Sequence, residues 1–141
     1  MYTYKKFGDK YFISIKNHEE ITKAITAFCK EHEIKVGAVS GIGAIKEVSL
    51  RFFDPATKEY VDKTFSEQME ISNLTGNISE KDGEVYTHLH ITLGRSDYTA
   101  LAGHLLSAVI NGAGEFVIEK TAGSITRYFD KNIGLNLYDL S

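Results

Sequence analysis

Apolar and polar residues alternate along most of the chain, and this period of two is typical of β-strands that bury one face. The alternating segments are rich in β-branched and aromatic residues, and glycines or polar clusters bound them. They predict eight strands, at residues 11–15, 36–40, 47–53, 60–65, 69–79, 85–93, 108–120 and 124–129. Short polar connections such as residues 80–83 predict hairpins, and therefore an antiparallel or mixed sheet.

One segment has the period of an amphipathic helix. Asn17 is predicted to cap it, with Glu20 three positions later as in a capping box. The apolar face that follows comprises Ile21, Ala24, Ile25, Phe28 and Cys29. Residues 97–107 are ambiguous, because their apolar residues could form a short helix that Gly103 would weaken. The pattern predicts an α+β fold in which one main helix packs against the sheet.

Length, composition and charge narrow the class of protein. The 141 residues predict a single domain, residues 1–141, and a composition of 43% hydrophobic and 25% charged residues is typical of a globular protein. A net charge of −3 argues against strong direct binding of nucleic acid. No apolar run is long enough to span a bilayer, and no leader peptide is recognised. The single cysteine, Cys29, cannot form an internal disulfide, so we expect a cytoplasmic protein.

Three histidines carry the clearest chemical signal. His88 and His90 are two residues apart in a predicted strand, so their side chains leave the same face. His104, at the end of the next connection, could complete a cluster of three nitrogen ligands with an open coordination position, as in catalytic zinc sites. The ion would be a divalent transition metal, zinc by default, with iron or manganese also compatible. The alternative is that the histidines pack at a subunit interface and are held there by hydrogen bonds.

Two glutamates are candidates for catalysis. Glu70 and Glu115 lie in apolar strand contexts, where an unpaired carboxylate is costly. Either could orient a ligating histidine or act as a general base beside a metal-bound water. The alternative is a structural ion pair with Arg51 or Arg127, because an alternating strand also places charges on its exposed face.

Other motifs have simpler interpretations. The segment Gly41-Ile-Gly43-Ala44 joins two predicted strands, where glycine supplies a positive φ or lets two backbones approach closely. It lacks the lysine and the following helix of a phosphate-binding loop. His18 and His32 lie at the two ends of the predicted helix and are expected to face solvent. Phe52, Phe53, Phe65 and Phe116 are expected in the core or an interface rather than stacked on nucleic-acid bases.

Four stretches of the chain together resemble a known family. They are Ser40-Gly-Ile-Gly-Ala44, the segment from Met69 to Ile78, Thr87-His-Leu-His90, and Ala102-Gly-His-Leu105 followed by Gly114-Glu-Phe-Val117. In this order, over residues 10–127, they are similar to the stand-alone bacterial and archaeal proteins of the PPC domain family. This plant and prokaryote conserved domain accompanies AT-hook motifs in plants, and the microbial proteins have no settled role.

The resemblance implies an α+β domain built on an antiparallel sheet and assembled as a homotrimer. We weigh three functions: a trimeric scaffold or regulatory module for an unknown protein partner, with a metal site at His88, His90 and His104; a metal-dependent enzyme acting on a small molecule; and a transcription- or nucleoid-associated protein. The chain has no Arg-Gly-Arg-Pro-like hook, so a DNA-binding label taken from the plant relatives would rest on a segment that is absent here.

Overall fold

The computed structural model describes residues 1–141 and consists of nine strands and one helix. The helix, α1, is Ile21–Glu31. The strands are β1 Tyr2–Phe7, β2 Lys10–Ile15, β3 Gly37–Asp54, β4 Glu59–Phe65, β5 Met69–Lys81, β6 Glu84–Gly94, β7 Ala100–Lys120, β8 Thr126–Asp130 and β9 Leu135–Asp139. The predicted α+β class is confirmed. The helix is too short and too polar to cross a membrane.

The strands form one mixed sheet that closes partly on itself. Its order is β1-β2-β7-β3-β5-β8-β9, with β4 on β3 and with β6 between β5 and β7. The pairings of β3 with β5, β5 with β6, β6 with β7 and β7 with β3 make a closed circuit. All pairs are antiparallel except the single bridge between Glu80 and Thr126 that joins β8 to β5. The circuit surrounds the apolar core, and α1 packs against β6 and β7.

The glycine segment lies inside one long strand rather than between two. Strand β3 runs through it without a turn, and the register with β5 shifts between Gly41 and Gly43. A Cβ at Gly43 would lie 2.2 Å from the carbonyl oxygen of Ala113, and the φ of Gly43 is +159°. The close approach of two backbones, one of the two reasons considered from the sequence, accounts for glycine at position 43.

The helix buries its predicted face but has a different cap. Ile21, Ala24, Ile25, Phe28 and Cys29 are all buried, as predicted. The prediction of Asn17 as the cap is wrong, because Glu20 occupies that position and its carboxylate accepts hydrogen bonds from the backbone N–H groups of Thr22 and Lys23. The Asn17 side chain instead accepts from the N–H of Gly112. A carboxylate at a helix start satisfies unpaired donors and favours the helix dipole.

Strand pairing overrides the helical pattern of residues 97–107. The helix considered there does not form, because residues 100–104 pair with β6. A tight turn precedes the strand, in which the carboxylate of Asp97 accepts from the backbone N–H and the hydroxyl of Thr99. Strands β1 and β9 are absent from the prediction. They lie at the two edges of the sheet and neither contains a fully buried position, so neither has the apolar pattern of a core strand.

Candidate metal centre

Two neighbouring strands place the three predicted histidines on one surface. His88 and His90 lie on β6 with their side chains on the same face, and Leu89 between them is buried in the core. His104 is not in a connection. It lies within β7, directly opposite His90, while Arg51 of β3 lies opposite His104 on its other side. The register of three strands therefore assembles the cluster.

The three imidazoles form a compact triangle. Their ring centroids are 5.2 Å apart for His88 with His90, 5.2 Å for His88 with His104, and 5.5 Å for His90 with His104. One ring nitrogen from each lies within 4.8 Å of the others, and the Nε2 atoms of His88 and His90 are 3.3 Å apart. Nitrogens this close can bind one ion together.

The surroundings favour the neutral form of two of these imidazoles, those of His88 and His104. Burial, and then the neighbouring His88 and His90, lower the pKa of His104 to about 4. Burial, with smaller contributions from His90 and Arg127, also lowers the pKa of His88. The neutral imidazole is the form that donates an electron pair to a metal ion, so the environment of His88 and His104 favours the form that binds a transition metal.

A glycine on the adjacent strand brings β5 close to the cluster. Gly76 lies beside His88 and Leu89, and a Cβ in its place would be 2.0 Å from the carbonyl oxygen of His88. No side chain fits in that space. Gly76 therefore fixes the separation of β5 and β6 where β6 carries its two histidines.

The histidines form part of the wall of an open cavity of about 550 Å³. Aromatic and aliphatic side chains supply much of the rest, and two arginines also line it. The other lining residues are Arg51, Phe52, Phe53, Tyr60, Asn77, Tyr86, Gly103, Arg127, Leu135, Asn136, Leu137 and Tyr138. A cavity of this size, with an apolar wall and a few convergent polar groups, is typical of small-molecule sites.

One arginine of the cavity is paired with an acid. Arg51 donates two hydrogen bonds of 2.8 Å to the carboxylate of Asp62, and its guanidinium carbon lies 4.3 Å from the ring centre of Tyr60. The hydrogen bonds from Arg51 lower the pKa of the Asp62 carboxyl. Asp62 thus neutralises the charge of Arg51 in place of the glutamates considered from the sequence.

The other arginine, Arg127 of β8, has only neutral partners. It donates to the Ser79 hydroxyl at 2.7 Å, the Asn77 side-chain oxygen at 2.9 Å and the backbone oxygen of Asn136 at 3.0 Å. Its guanidinium carbon lies 4.6 Å from the ring centre of Tyr86 and 4.5 Å from that of Tyr138. The sequence alone assigned Arg127 no role in the site. It did offer a signal for Tyr86, because the spacing of Tyr86, His88 and His90 places all three on one face of β6.

The two candidate glutamates lie elsewhere. Glu70 pairs with Ala44 and Glu115 with Ile42, so both flank the bulge in β3 and line a shallow groove there. Neither lines the histidine cavity. Neither forms an ion pair with Arg51 or Arg127, so that alternative is wrong within this subunit. A catalytic role for either stays a prediction, and a neighbouring subunit would have to bring the carboxylate to the cavity.

The remaining histidines are at the helix ends, and one is not in solvent. His18 is exposed, as expected. His32 is partly buried, with its ring centre 4.2 Å from Phe28 and 4.7 Å from Tyr4, and its Nε2 atom is buried without a hydrogen-bond partner. The expectation that His32 faces solvent is wrong, because the aromatic cluster around Phe28 extends past the end of α1. Phe52 is 66% exposed and lines the histidine cavity rather than the core.

The fold and the cluster define a class: α+β domains with a partly closed sheet that carries a surface triad of histidines. The sequence profile of the Plants and Prokaryotes Conserved (PCC) domain matches residues 2–122. The chain is therefore a member of the PCC domain family, the family that the four sequence stretches resemble. Comparison with curated proteins gives no match.

Solved structures agree with this assignment. A Bacteroides thetaiotaomicron protein, provisionally named a DNA-binding protein, is 65% identical with a TM-score of 0.97, over 99% of this chain and 97% of that one. A metal-containing protein of Archaeoglobus fulgidus is 30% identical with a TM-score of 0.86, over 98% and 99%. A plant- and prokaryote-conserved protein of Pyrococcus horikoshii is 30% identical with a TM-score of 0.85, over 99% and 94%.

Proposed function

We propose that this protein binds one divalent transition metal ion per subunit through His88, His90 and His104. The observation that carries the proposal is the convergence of three imidazole nitrogens within 4.8 Å at the wall of an open cavity. The donor set favours zinc, and iron and manganese are the next candidates. The Archaeoglobus fulgidus relative, 30% identical, is a metal-containing protein.

The chemistry of the donors fits such an ion. Three neutral nitrogen ligands on rigid strands leave room for a further ligand, and all three face the cavity. A bound ion would supply a Lewis acid there and could activate a water molecule. The chain's own residues shape the cavity, orient the imidazoles through strand register, and place Arg51 and Arg127 at its wall.

Elemental analysis of purified variants after dialysis tests the metal site. Wild-type protein is expected to retain about one zinc per chain, whereas His88→Ala, His90→Ala and His104→Ala should each weaken zinc binding by more than about 100-fold. His18→Ala is the matched control, because His18 is an exposed histidine outside the cluster, and this variant should retain the wild-type zinc content. Equal metal content in wild type and in the triple alanine variant would refute the site.

We also propose assembly as a homotrimer. Supporting it, the face of β2 and β3 away from the core carries exposed apolar side chains, among them Phe12, 48% exposed, and Ile42, 55% exposed. A second copy that covers such a face removes this apolar area from water. Light scattering coupled to size-exclusion chromatography should give three times the mass of one chain, and the mass of a monomer at micromolar concentration would contradict the proposal.

Two roles are compatible with this site, and the cavity favours one of them. A scaffold that contacts a protein partner needs no cavity, whereas an enzyme needs one that reaches the metal. The histidines line an open cavity and are not sealed, which favours small-molecule chemistry as the second candidate function. Asp62 interacts electrostatically with His104 but is already held by Arg51, so a general base would come from a neighbouring subunit or from the substrate.

We expect weak binding of duplex DNA, although the Bacteroides relative carries a provisional DNA-binding name. The chain has a net charge of −3, so few phosphate contacts are available to release counterions. A gel-shift assay at ~0.15 M salt should give no sequence-dependent complex at submicromolar protein. The free, buried thiol of Cys29 suits the cytoplasm, where we expect the protein to act.

A further inference from the structure

We propose that the histidine cavity binds a small organic anion, and that Arg127 pairs with its carboxylate or phosphate group. The inference deepens the proposed function and rests on it for the identification of this cavity as the ligand site. The observations that carry it concern charge, unused hydrogen-bond donors and the shape of the wall. None of them depends on the metal.

The cavity is positive although the protein is acidic. None of the fifteen residues that line it is an aspartate or a glutamate, whereas two are arginines. Asp62 compensates Arg51, but Arg127 forms no ion pair within the chain. A partly buried guanidinium without a counter-ion attracts an anion, and a low-dielectric wall strengthens that attraction.

Arg127 also has donors to spare. Three of its five N–H groups are used, one on each nitrogen, by Ser79, Asn77 and Asn136. One N–H therefore remains on each terminal nitrogen. Such donors suit the oxygens of carboxylate and phosphate groups. The rings of Tyr86 and Tyr138 flank the guanidinium and hold it in place, so little side-chain entropy is lost on binding.

The anion site lies beside the histidines. Asn77, which accepts from Arg127, is opposite His88 in the register of β5 and β6, and Tyr86 precedes His88 by two residues on the same strand. Apolar side chains from β9, Leu135 and Leu137, line the cavity and could contact the body of the ligand. A molecule with an oxyanion at one end would thus reach from Arg127 toward the imidazoles.

The hairpin β8–β9 supplies the arginine and the apolar side chains that would recognise the anion. The family match ends at residue 122, before β8 begins at Thr126, and the match includes all three histidines. Arg127, Leu135, Asn136, Leu137 and Tyr138 come from the hairpin. The proposed metal ligands are therefore part of the shared domain, while the anion anchor lies outside the matched region.

Asn77→Asp is the sharpest test, because it keeps the shape of the side chain and places a carboxylate 2.9 Å from Arg127. That internal counter-ion should compete with an external anion. Asn73→Asp is the matched control, since Asn73 lies on the same strand and is exposed outside the histidine cavity. Both variants add the same charge to the protein. The probes are acetate, benzoate, inorganic phosphate and phenyl phosphate, with benzamide as the neutral analogue of benzoate.

Isothermal titration of zinc-loaded and metal-free protein gives the readout. At least one anion should bind wild type with a dissociation constant of about 1 mM or below, and benzamide at least tenfold more weakly. Asn77→Asp should weaken that anion at least tenfold, and Asn73→Asp less than twofold. Preference for benzoate or for phenyl phosphate identifies the oxyanion.

Equal affinity in wild type and Asn77→Asp would overturn the inference, as would the failure of every anion to bind wild type. If wild type cannot be loaded with zinc but still binds the anion as described, the metal proposal fails and the anion site stands. If zinc is retained but no anion binds, the metal site stands and the anion site fails. Thermal denaturation of Asn77→Asp, expected to match or exceed wild type, excludes unfolding as the cause of weaker binding.

Discussion

His90 lies directly opposite His104 in the antiparallel register of β6 and β7. Arg51 is the partner of His104 on the other side, so the register of β3 and β7 brings Arg51 to the cluster. The imidazoles are thus held by backbone pairing rather than by side-chain hydrogen bonds to a carboxylate. Changes to the backbone near β6 should therefore affect the site as strongly as changes to the histidines themselves.

Replacement of Gly76 should disturb both fold and site. In Gly76→Ala the new methyl group would meet the His88 carbonyl oxygen and the Leu89 Cα, so two paired backbones must separate. We expect a loss of about 3 kcal/mol in the free energy of unfolding, and weaker zinc binding in any folded fraction. Gly94→Ala on β6 is the control, because its new methyl group meets nothing closer than 3.5 Å. Similar denaturant midpoints for the two variants would refute the steric argument.

The metal-free protein should lose stability as the pH falls from about 6.5 to 4. His104 has a pKa of about 4 in the folded protein and an ordinary value of 6.5 in the unfolded chain, so only the unfolded chain is protonated between these values. The free energy of unfolding then rises with pH across this window. Since His104 is partly exposed, we expect a contribution of about 1 kcal/mol.

Urea unfolding at pH 7.5 and pH 5 after removal of metal by a chelator measures this dependence. Carboxylates also begin to protonate in that range, so the useful quantity is the difference between wild type and His104→Gln. The variant should lose less stability than wild type on acidification. An identical loss in both proteins would show that His104 does not contribute.

Glu20 should contribute more to stability than Asn17. The Glu20 carboxylate accepts from the backbone N–H groups of Thr22, Lys23 and Ala108, and so joins the start of α1 to β7. Glu20→Ala leaves three donors unpaired and should cost about 2 kcal/mol. Asn17→Ala removes one bond to the backbone, from the N–H of Gly112, and one exposed contact with the His18 ring, and should cost about 1 kcal/mol or less. A larger loss of stability in Asn17→Ala than in Glu20→Ala, measured by chemical denaturation, would contradict this prediction.

Cys29 should be inert in the folded protein. Burial raises the pKa of its thiol to about 12, so at pH 8 nearly all of it is the unreactive thiol form. Reaction with a disulfide reagent at pH 8 is expected to be at least ten times slower in buffer than in 6 M urea. Raising the pH to 9 should not abolish this protection. Rapid labelling of the native protein would place the thiol at the surface.

Local sequence patterns predicted the helix face and most strands well. The buried side of α1 follows from the spacing of Ile21, Ala24, Ile25, Phe28 and Cys29, because a short amphipathic helix has one way to bury its apolar residues. The spacing of His88 and His90 likewise decides that they share a face once the segment is a strand. Edge strands β1 and β9 were missed, since neither contains a fully buried position and so neither carries the pattern of a core strand.

Residues 97–107 illustrate where local pattern fails. Their apolar spacing is compatible with a turn of helix, but pairing with β6 satisfies the backbone of residues 100–104 and places Leu105 in the core. A pairing partner distant in sequence decides the outcome, because β structure depends on contacts that no window of sequence contains. The same reason explains why His104 proved to lie within a strand.

The sequence by itself determined the α+β class, the apolar face of the helix, and the three histidines proposed to bind a metal ion, because each depends on residue type and local spacing. Only the tertiary structure decided that Asp62 pairs with Arg51, that Glu70 and Glu115 lie at the bulge in β3, and that Arg127 enters the histidine cavity. These relations follow from strand register and from the contact between β8 and β5. A shift of one residue in any register would turn those side chains to the opposite face.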